Sequence, residues 1–411
     1  MTSDFVATFL IITDREHLPA FSTISDTLAS ATRVSFASLP LETTGQSAGR
    51  QRIAASESPI PGLSANCRVT VWDYRRPVTS GLTDTALSLL SAGLTPDSTS
   101  LLREGDRAIE VRIAGEASGA AGALRWATDA LDALARACAG IVMDPVTQRC
   151  IDEAALRTMR SGTLLSHVVV HDEPWETDTR WLHTHGLEKF GQVELEVVEV
   201  PVTLVEYGHA LIVDVAATLV NGAELHAGGE IETDDMERLV VVAANSDPDH
   251  RARCGRVRLT DPSLPGELPA QGISRYLKHA ALNDAAVSER GGKPAQALES
   301  IDHILAADPD DMDALAVKSR LLSRLGQASE ALCIGELMQL WQPWDYRGYM
   351  SAGMALTELG RHREALMALD RAVQCDPEAI DALTVRSVIY ERLGAAAEAE
   401  YDRARAKYLR A

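Results

Sequence analysis

Apolar and polar positions alternate in short runs over the first two-thirds of the chain and settle into a helical rhythm over the last third. Phe5–Thr13 reads as a first strand, His17–Ala31 as a helix and Arg33–Leu39 as a second strand. Residues 41–66, rich in Ser, Gly, Thr and Pro, read as a loop. Cys67–Tyr74 alternates around Val69 and Val71 and reads as a strand, Ala86–Ala92 as a short helix, and Arg107–Ile113 as a half-buried strand. Ala120–Ala139 has the spacing of an amphipathic helix, and 140–150 holds a strand and a turn at Asp144-Pro145. Further on, Leu164–Val170 and Val193–Val200 read as strands, Val205–Leu219 as a helix ending at Asn221-Gly222, and Leu239–Ala244 and Gly255–Leu259 as strands. The run 261–272, with three prolines and two glycines, reads as a linker. The expected fold class is α+β followed by all-α, over units 1–150, 151–272 and 273–411. Whether the first two are separate or continuous stays open.

From about Lys278 the pattern repeats every 34 residues. Gly292, Gly326, Gly360 and Gly394 share one position, Ala297, Ala331, Ala365 and Ala399 another, and Pro309, Pro343 and Pro377 a third. In the third unit Tyr349, Ala352, Leu356 and Leu359 lie on one helical face that stops at Gly360. A second stripe of Ala365, Leu366, Leu369 and Ala372 ends before Asp376-Pro377, since proline lacks the amide that would continue it. One such pair cannot bury its stripe alone, so neighbours must stack into a solenoid.

This pattern resembles the tetratricopeptide repeat (TPR), best in the third unit at Tyr349, Gly353, Leu356, Ala365, Ala372 and Pro377. Other units depart from it, with Ala285, Ser319 and Ser387 at the small position and Ile304 and Met338 at the second alanine. The resemblance covers about a third of the chain and implies a protein-binding superhelix with no catalytic residues. It also implies that the first helices line a groove, with Arg320, Arg324, Arg347, Met350, Met354 and Val388 at its centre. Forked arginine donors suit carboxylates and methionine suits irregular apolar surfaces, so the expected partner is a polypeptide segment, partly acidic and partly apolar. The plainer alternative has these arginines solvated and paired with Asp313 or Glu358. The family's chaperone-tail clamp is not expected, because only Arg347 among the clamp positions is compatible.

A second resemblance lies at Trp181-Leu182-His183-Thr184-His185-Gly186-Leu187, Phe190-Gly191 and Glu194-Leu195-Glu196. It is similar to a signature of bacterial domains of unknown function, W-L-x-T-x-G-L-x-x-F-G-x-x-E-L-E, and implies a cytosolic bacterial α+β domain with no assigned activity. Physically, Thr184 and Gly186 suit a tight turn pinned to the core by Trp181, Leu187 and Phe190.

Charge narrows the partners. The 411 residues are 46% apolar and 24% charged, with a formal net charge of −20. That balance disfavours nucleic acid and anionic membranes. The apolar run Phe5–Ile12 lacks the basic start of a signal peptide, and no run of ~20 apolar residues is expected to cross a bilayer. Six scattered cysteines suit reduced thiols in a cytoplasm. The acidic run Glu230–Glu237 reads as a strand edge entering a helix start; alternatively it docks on the groove arginines from within the chain.

Candidate chemistry is confined to histidine. His167 and His171 are four apart on or near a strand, His183 and His185 two apart, with Asp172, Glu173 and Asp178 nearby. Two such arms and a carboxylate could hold zinc and leave a position for water, which would make the α+β part a metal-dependent hydrolase with the array as a targeting arm. The plainer reading is a hydrogen-bonded turn with surface histidines. Phosphate-loop, dinucleotide and nucleophile-elbow motifs are lacking. The leading expectation is an adaptor or scaffold without catalytic residues or a cofactor.

Overall fold

The computed structural model describes residues 4–14, 19–32, 36–38, 50–56, 68–74, 90–91, 94–232, 238–244, 255–260 and 269–410. Their strands form two sheets, and everything from residue 269 onward in that set is helical or a turn between helices.

The first sheet contains β1 (Asp4–Thr13), β2 (Phe36–Ser38), β3 (Arg50–Ser56), β4 (Arg68–Tyr74), β5 (Arg107–Glu116), β6 (Ile141–Asp144) and β7 (Arg149–Ile151). Their order is β2-β3-β4-β5-β1-β6-β7, and every pair is antiparallel. Period-two patterning sets the register. Phe5, Ala7, Phe9 and Ile11 are buried on one face of β1, and three of them stand opposite Ile113, Val111 and Ile109 of β5. Helices α1 (Phe21–Thr32), α2 (Pro96–Glu104), α3 (Ala120–Ala137) and α4 (Glu153–Ser161) accompany the sheet among the described residues. Alanines at 120, 123, 127 and 130 let α3 lie close over β1 and β5, with Leu124, Leu131 and Leu134 filling the seam. A smaller cluster of Ile12, Leu90, Leu102 and Ile141 joins α2 to the sheet.

The second sheet contains β8 (Val169–Pro174), β9 (Thr179–His185), β10 (Glu194–Pro201), β11 (Glu230–Glu232), β12 (Arg238–Ala243) and β13 (Arg256–Thr260). Its order is β11-β12-β13-β10-β9-β8, with only β10 and β13 parallel. Helix α5 (Val205–Val220) packs on β9 and β10. It approaches so closely that a Cβ on Gly208 would stand 2.7 Å from Leu182 Cδ1. The segment Val202–Val220 is long and apolar enough to cross a membrane by length and composition, contrary to the sequence expectation. Here Leu211, Ile212, Val215 and Leu219 face the core, and Glu206 and Asp214 interrupt the run.

Eight helices follow in four hairpins: α6 (Pro269–Arg290) with α7 (Pro294–Ala307), α8 (Met312–Arg324) with α9 (Ala328–Trp341), α10 (Tyr346–Glu358) with α11 (His362–Cys375), and α12 (Ile380–Arg392) with α13 (Ala396–Arg410). The repeating residues explain the repeating geometry. Gly292, Gly326, Gly360 and Gly394 all have φ of 74–79°. The amides after them return to the carbonyls of Ser288, Leu322, Leu356 and Tyr390, the same helix-ending bond four times. Ala297, Ala331, Ala365 and Ala399 are each 0% exposed, where the two helices of a hairpin meet. Ser319 stands at a position that favours a small residue because its hydroxyl donates to the Ala331 carbonyl at 3.0 Å.

The array is joined to the sheets. Helix α6 lies against β10 and β13, α7 touches the turn at Val202–Leu204, and one hydrophobic core runs from Phe5 to Leu321. Residues 269–272 belong to α6, so the expected linker ends earlier than 272; 261–268 lie outside the described residues.

Other expectations also shift. The loop read at 41–66 contains β3, whose Arg-Gln-Arg-Ile-Ala-Ala-Ser has no alternation and becomes a strand by pairing with β2 and β4. The strand read at Leu164–Val170 is a 3-10 turn over Leu164–His167 followed by β8. The tight turn begins at Gly186, so Trp181 and Thr184 are strand residues of β9. After the acidic run comes β12, not a helix; of the run itself, Glu230–Glu232 is described as β11 and 233–237 lie outside the described residues. The short helix read at Ala86–Ala92 also falls mostly outside them. Helices α2 and α4 had no counterpart in the sequence reading, although Thr95-Pro96-Asp97 and Asp152-Glu153 are good helix starts.

Candidate functional site

Strands β8 and β9 bring three of the four candidate histidines together. His171 stands directly opposite His183, and His185 is two residues further along β9, so all three share a face. Their ring centroids are 5.4, 4.7 and 5.1 Å apart for the pairs 171–183, 171–185 and 183–185. Glu173 follows His171 on the same face, with Oε1 3.9 Å from His183 Nε2. Donor atoms of His171, Glu173 and His183 lie within 4.8 Å of one another. Trp181 closes one side by stacking on His183 at 4.0 Å, and Trp175 meets Trp181 edge-on at 6.0 Å.

This polar face continues inward. Glu196 of β10 is the register partner of His183, and Arg258 of β13 that of Glu196. Arg258 Nε donates to Glu196 Oε1 at 2.8 Å, and Trp181 Nε1 donates to Oε2 at 3.3 Å. His183 is fully buried, whereas His171 on the edge strand β8 and His185 near the end of β9 are half-buried. The other two carboxylates considered do not join. Asp172 accepts from Arg180, and Asp178 sits exposed in the hairpin turn with φ of 64°.

His167 departs from the group. It ends the 3-10 turn, buried, with Nε2 3.3 Å from Thr128 Oγ1 of α3 and its ring 6.3 Å from that of Phe9. It therefore faces the first sheet and its helices, while His171 lies on the second. Burial pulls its pKa down to about 3, with help from the charge of Lys189. The ring is neutral in the fold while the unfolded chain takes up a proton near pH 6.5. Stability from this group is thus complete above pH 6.5 and falls as the pH drops toward 3, by about 1.4 kcal/mol per pH unit. Between pH 7 and pH 5 the parent chain should lose about 2 kcal/mol more than His167→Gln, as read by urea unfolding at both pH values. Equal losses would contradict this account.

Around His167 lies a polar cluster that the sequence reading missed. Lys189 and Asp144 form an ion pair whose two side chains are both 0% exposed. The Lys189 ammonium also donates to the His167 carbonyl at 3.2 Å and lies 5.3 Å from the Phe9 ring centroid. Asp144 Oδ1 accepts from the Val146 and Thr147 amides, which orders the β6–β7 turn. Burial alone would raise the Asp144 pKa, but the charge and hydrogen bond of Lys189 outweigh it and hold the carboxyl below its usual range. Glu194 fixes the turn that carries Lys189, accepting from the Gly186 and Glu188 amides at 2.8 and 3.1 Å and from Thr184 at 2.7 Å. Pairing across 45 residues leaves no local signature.

In the array, first helices pack on first helices, α8 on α10 and α10 on α12, which places them on the inner face of the stack. Arg320 and Arg324 protrude from it and share Glu289 of α6 at 2.9 and 2.7 Å. Burial would raise the Glu289 pKa, but its bonds to Arg324 and Arg320 dominate and lower it. Arg347 is committed locally. It pairs with Asp313 and with Asp345, whose Oδ1 also accepts from the Arg347 amide at 2.8 Å and caps α10. Asp313 was one of the two counter-ions foreseen in the plainer reading. Met350 and Met354 are half-buried, and Val388 is exposed.

Residues 167–247 match the model of a family described as the C-terminal part of DUF4026, a protein of unknown function. No curated protein matches the chain. Among solved structures, a thermophilic TPR protein from Thermus thermophilus is similar at 24% identity and a TM-score of 0.31, covering 32% of this chain and 74% of that one. MamA from Desulfovibrio magneticus shares 21% identity over 32% of this chain and 75% of its own, with a TM-score of 0.27. A mutant O-GlcNAc transferase of Thermobaculum terrenum shares 19% over 28% of this chain and 22% of its own, also at 0.27. Likenesses at this level say nothing about activity.

Proposed function

We propose that the chain is a cytoplasmic bacterial interaction protein whose helical array holds an extended segment of another polypeptide. One observation carries this reading. The stacked first helices expose Arg320 and Arg324 side by side, sharing a single carboxylate. Each guanidinium has five N–H donors, so several remain for a ligand. Half-buried Met350 and Met354 on α10 give an adaptable apolar neighbour. A segment pairing acidic with apolar residues fits that surface. The thiols suit a reducing compartment: Cys138, Cys150, Cys333 and Cys375 are free, and burial pushes Cys138 and Cys150 up to about 11 and about 12, away from reactivity.

The test needs the full chain. A fragment starting at 273 would cut α6 and strip Tyr276, Leu277 and Ala281 of their cover. Peptides selected from a random library should be enriched in Asp or Glu beside apolar residues. Their affinity should fall roughly 10- to 100-fold for Arg320→Glu with Arg324→Glu, the size of a lost charge-assisted bond. Selected peptides that bind the reversed protein equally well would refute the groove. Arg347→Glu is less clean, because it also disturbs the start of α10.

A further inference from the structure

We infer that the polar face of the β8–β9 hairpin is a site for one divalent transition-metal ion, with His171, His183 and His185 as ligands and Glu173 as the fourth donor or the group facing a bound water. Three imidazoles on one tetrahedral ion, at metal–nitrogen distances of about 2.0–2.1 Å, have ring centroids roughly 5 Å apart. The three rings here stand at 5.4, 4.7 and 5.1 Å.

Strand geometry supplies the triangle. A cross-strand pair gives His171 and His183, and the period of two adds His185 on the same side. Glu173 continues the row on β8, with Oε1 already 3.9 Å from His183 Nε2. The donor atoms of His171, Glu173 and His183, within 4.8 Å of one another, reach coordination spacing by side-chain rotation. Trp181, stacked at 4.0 Å, fixes the His183 ring and screens one side. His171 is half-buried on the edge strand β8, and His185 is half-buried near the end of β9 beside it, which leaves a path for the ion. Imidazole with one carboxylate suits zinc, cobalt or nickel rather than calcium or magnesium, which prefer all-oxygen shells.

The test uses the full chain stripped with a chelator and titrated with Co2+, then competed with Zn2+. One ion per chain, with the intense visible bands of tetrahedral cobalt and a zinc-dependent rise in Tm, is expected. His183→Phe keeps a ring to stack on Trp181 but removes a ligand. That variant and the half-buried His185→Ala should each weaken binding by about 100-fold or more, since even outer-shell partners are worth 10- to 100-fold. His226→Ala, at an exposed pair with Glu224, should leave binding unchanged. Absence of tetrahedral bands together with an unmoved Tm would overturn the site. So would equal binding by His183→Phe and His185→Ala.

Discussion

Truncating Lys189 to alanine is expected to destabilise the chain by about 3–5 kcal/mol, the size seen when one partner of a buried ion pair is removed. The lysine crosses from the turn before β10 to Asp144 at the end of β6, so it couples the two sheets. Without it, the buried Asp144 carboxyl loses its main counter-charge and is left with two amides of its own turn and the more distant charge of Arg149. Neutralising both sides, with Lys189→Met and Asp144→Asn together, should restore most of the loss, because the asparagine oxygen can still accept those amides and no buried charge remains. Urea unfolding at neutral pH measures both. A single mutant losing under about 1 kcal/mol, or a double mutant no better than the sum of its parts, would show that the pair does not matter. Asp144 also sets a direction with pH: its carboxyl is held below the ordinary range, so its contribution is complete above that range and disappears as the pH falls through its own pKa.

Gly186→Ala should be nearly as damaging, at about 2–5 kcal/mol, combining a left-handed backbone penalty of about 1–2 kcal/mol with steric overlap. Gly186 has φ of 118°, and an added Cβ would overlap the His167 carbonyl oxygen and stand 3.1 Å from Thr147 Cγ2. That carbonyl is also an acceptor for Lys189, so the clash pushes on the buried pair. Gly222 is the control. Its φ is 100°, but an added Cβ would meet nothing within 4 Å, and Gly222→Ala should cost only the backbone part. Thermal or urea unfolding of the two variants side by side separates strain from contact. Similar losses would mean that the close approach at Gly186 is not what demands glycine.

These two residues show where sequence reading stops. The array was legible because its determinants are local and repeated: a glycine ends a helix, an alanine sits in a crossing, and both recur in phase. Strands β4 and β5 were legible because each alternates by itself, and β1 because it is a short apolar run. Strand β3 was not, because Arg50–Ser56 becomes a strand only through neighbours placed by the rest of the sheet. His171, His183 and His185 could be grouped by parity along extended chain, and the structure groups them. His167 was misplaced with them because a 3-10 turn intervenes and reverses the period-two logic. Lys189 carries no local mark in the stretch 181–196, since lysine is usually exposed; only tertiary packing reveals that the fold closes over it.

Helix α6 belongs both to the sheets and to the stack, and this has a mechanical consequence. The array is a cantilever clamped at one end. Its later hairpins are held chiefly by their neighbours, so resistance to force is graded along it. A load applied near residue 410 would peel α13 and α12 first and advance inward by hairpins until it reached the clamp, where the second sheet shares the strain.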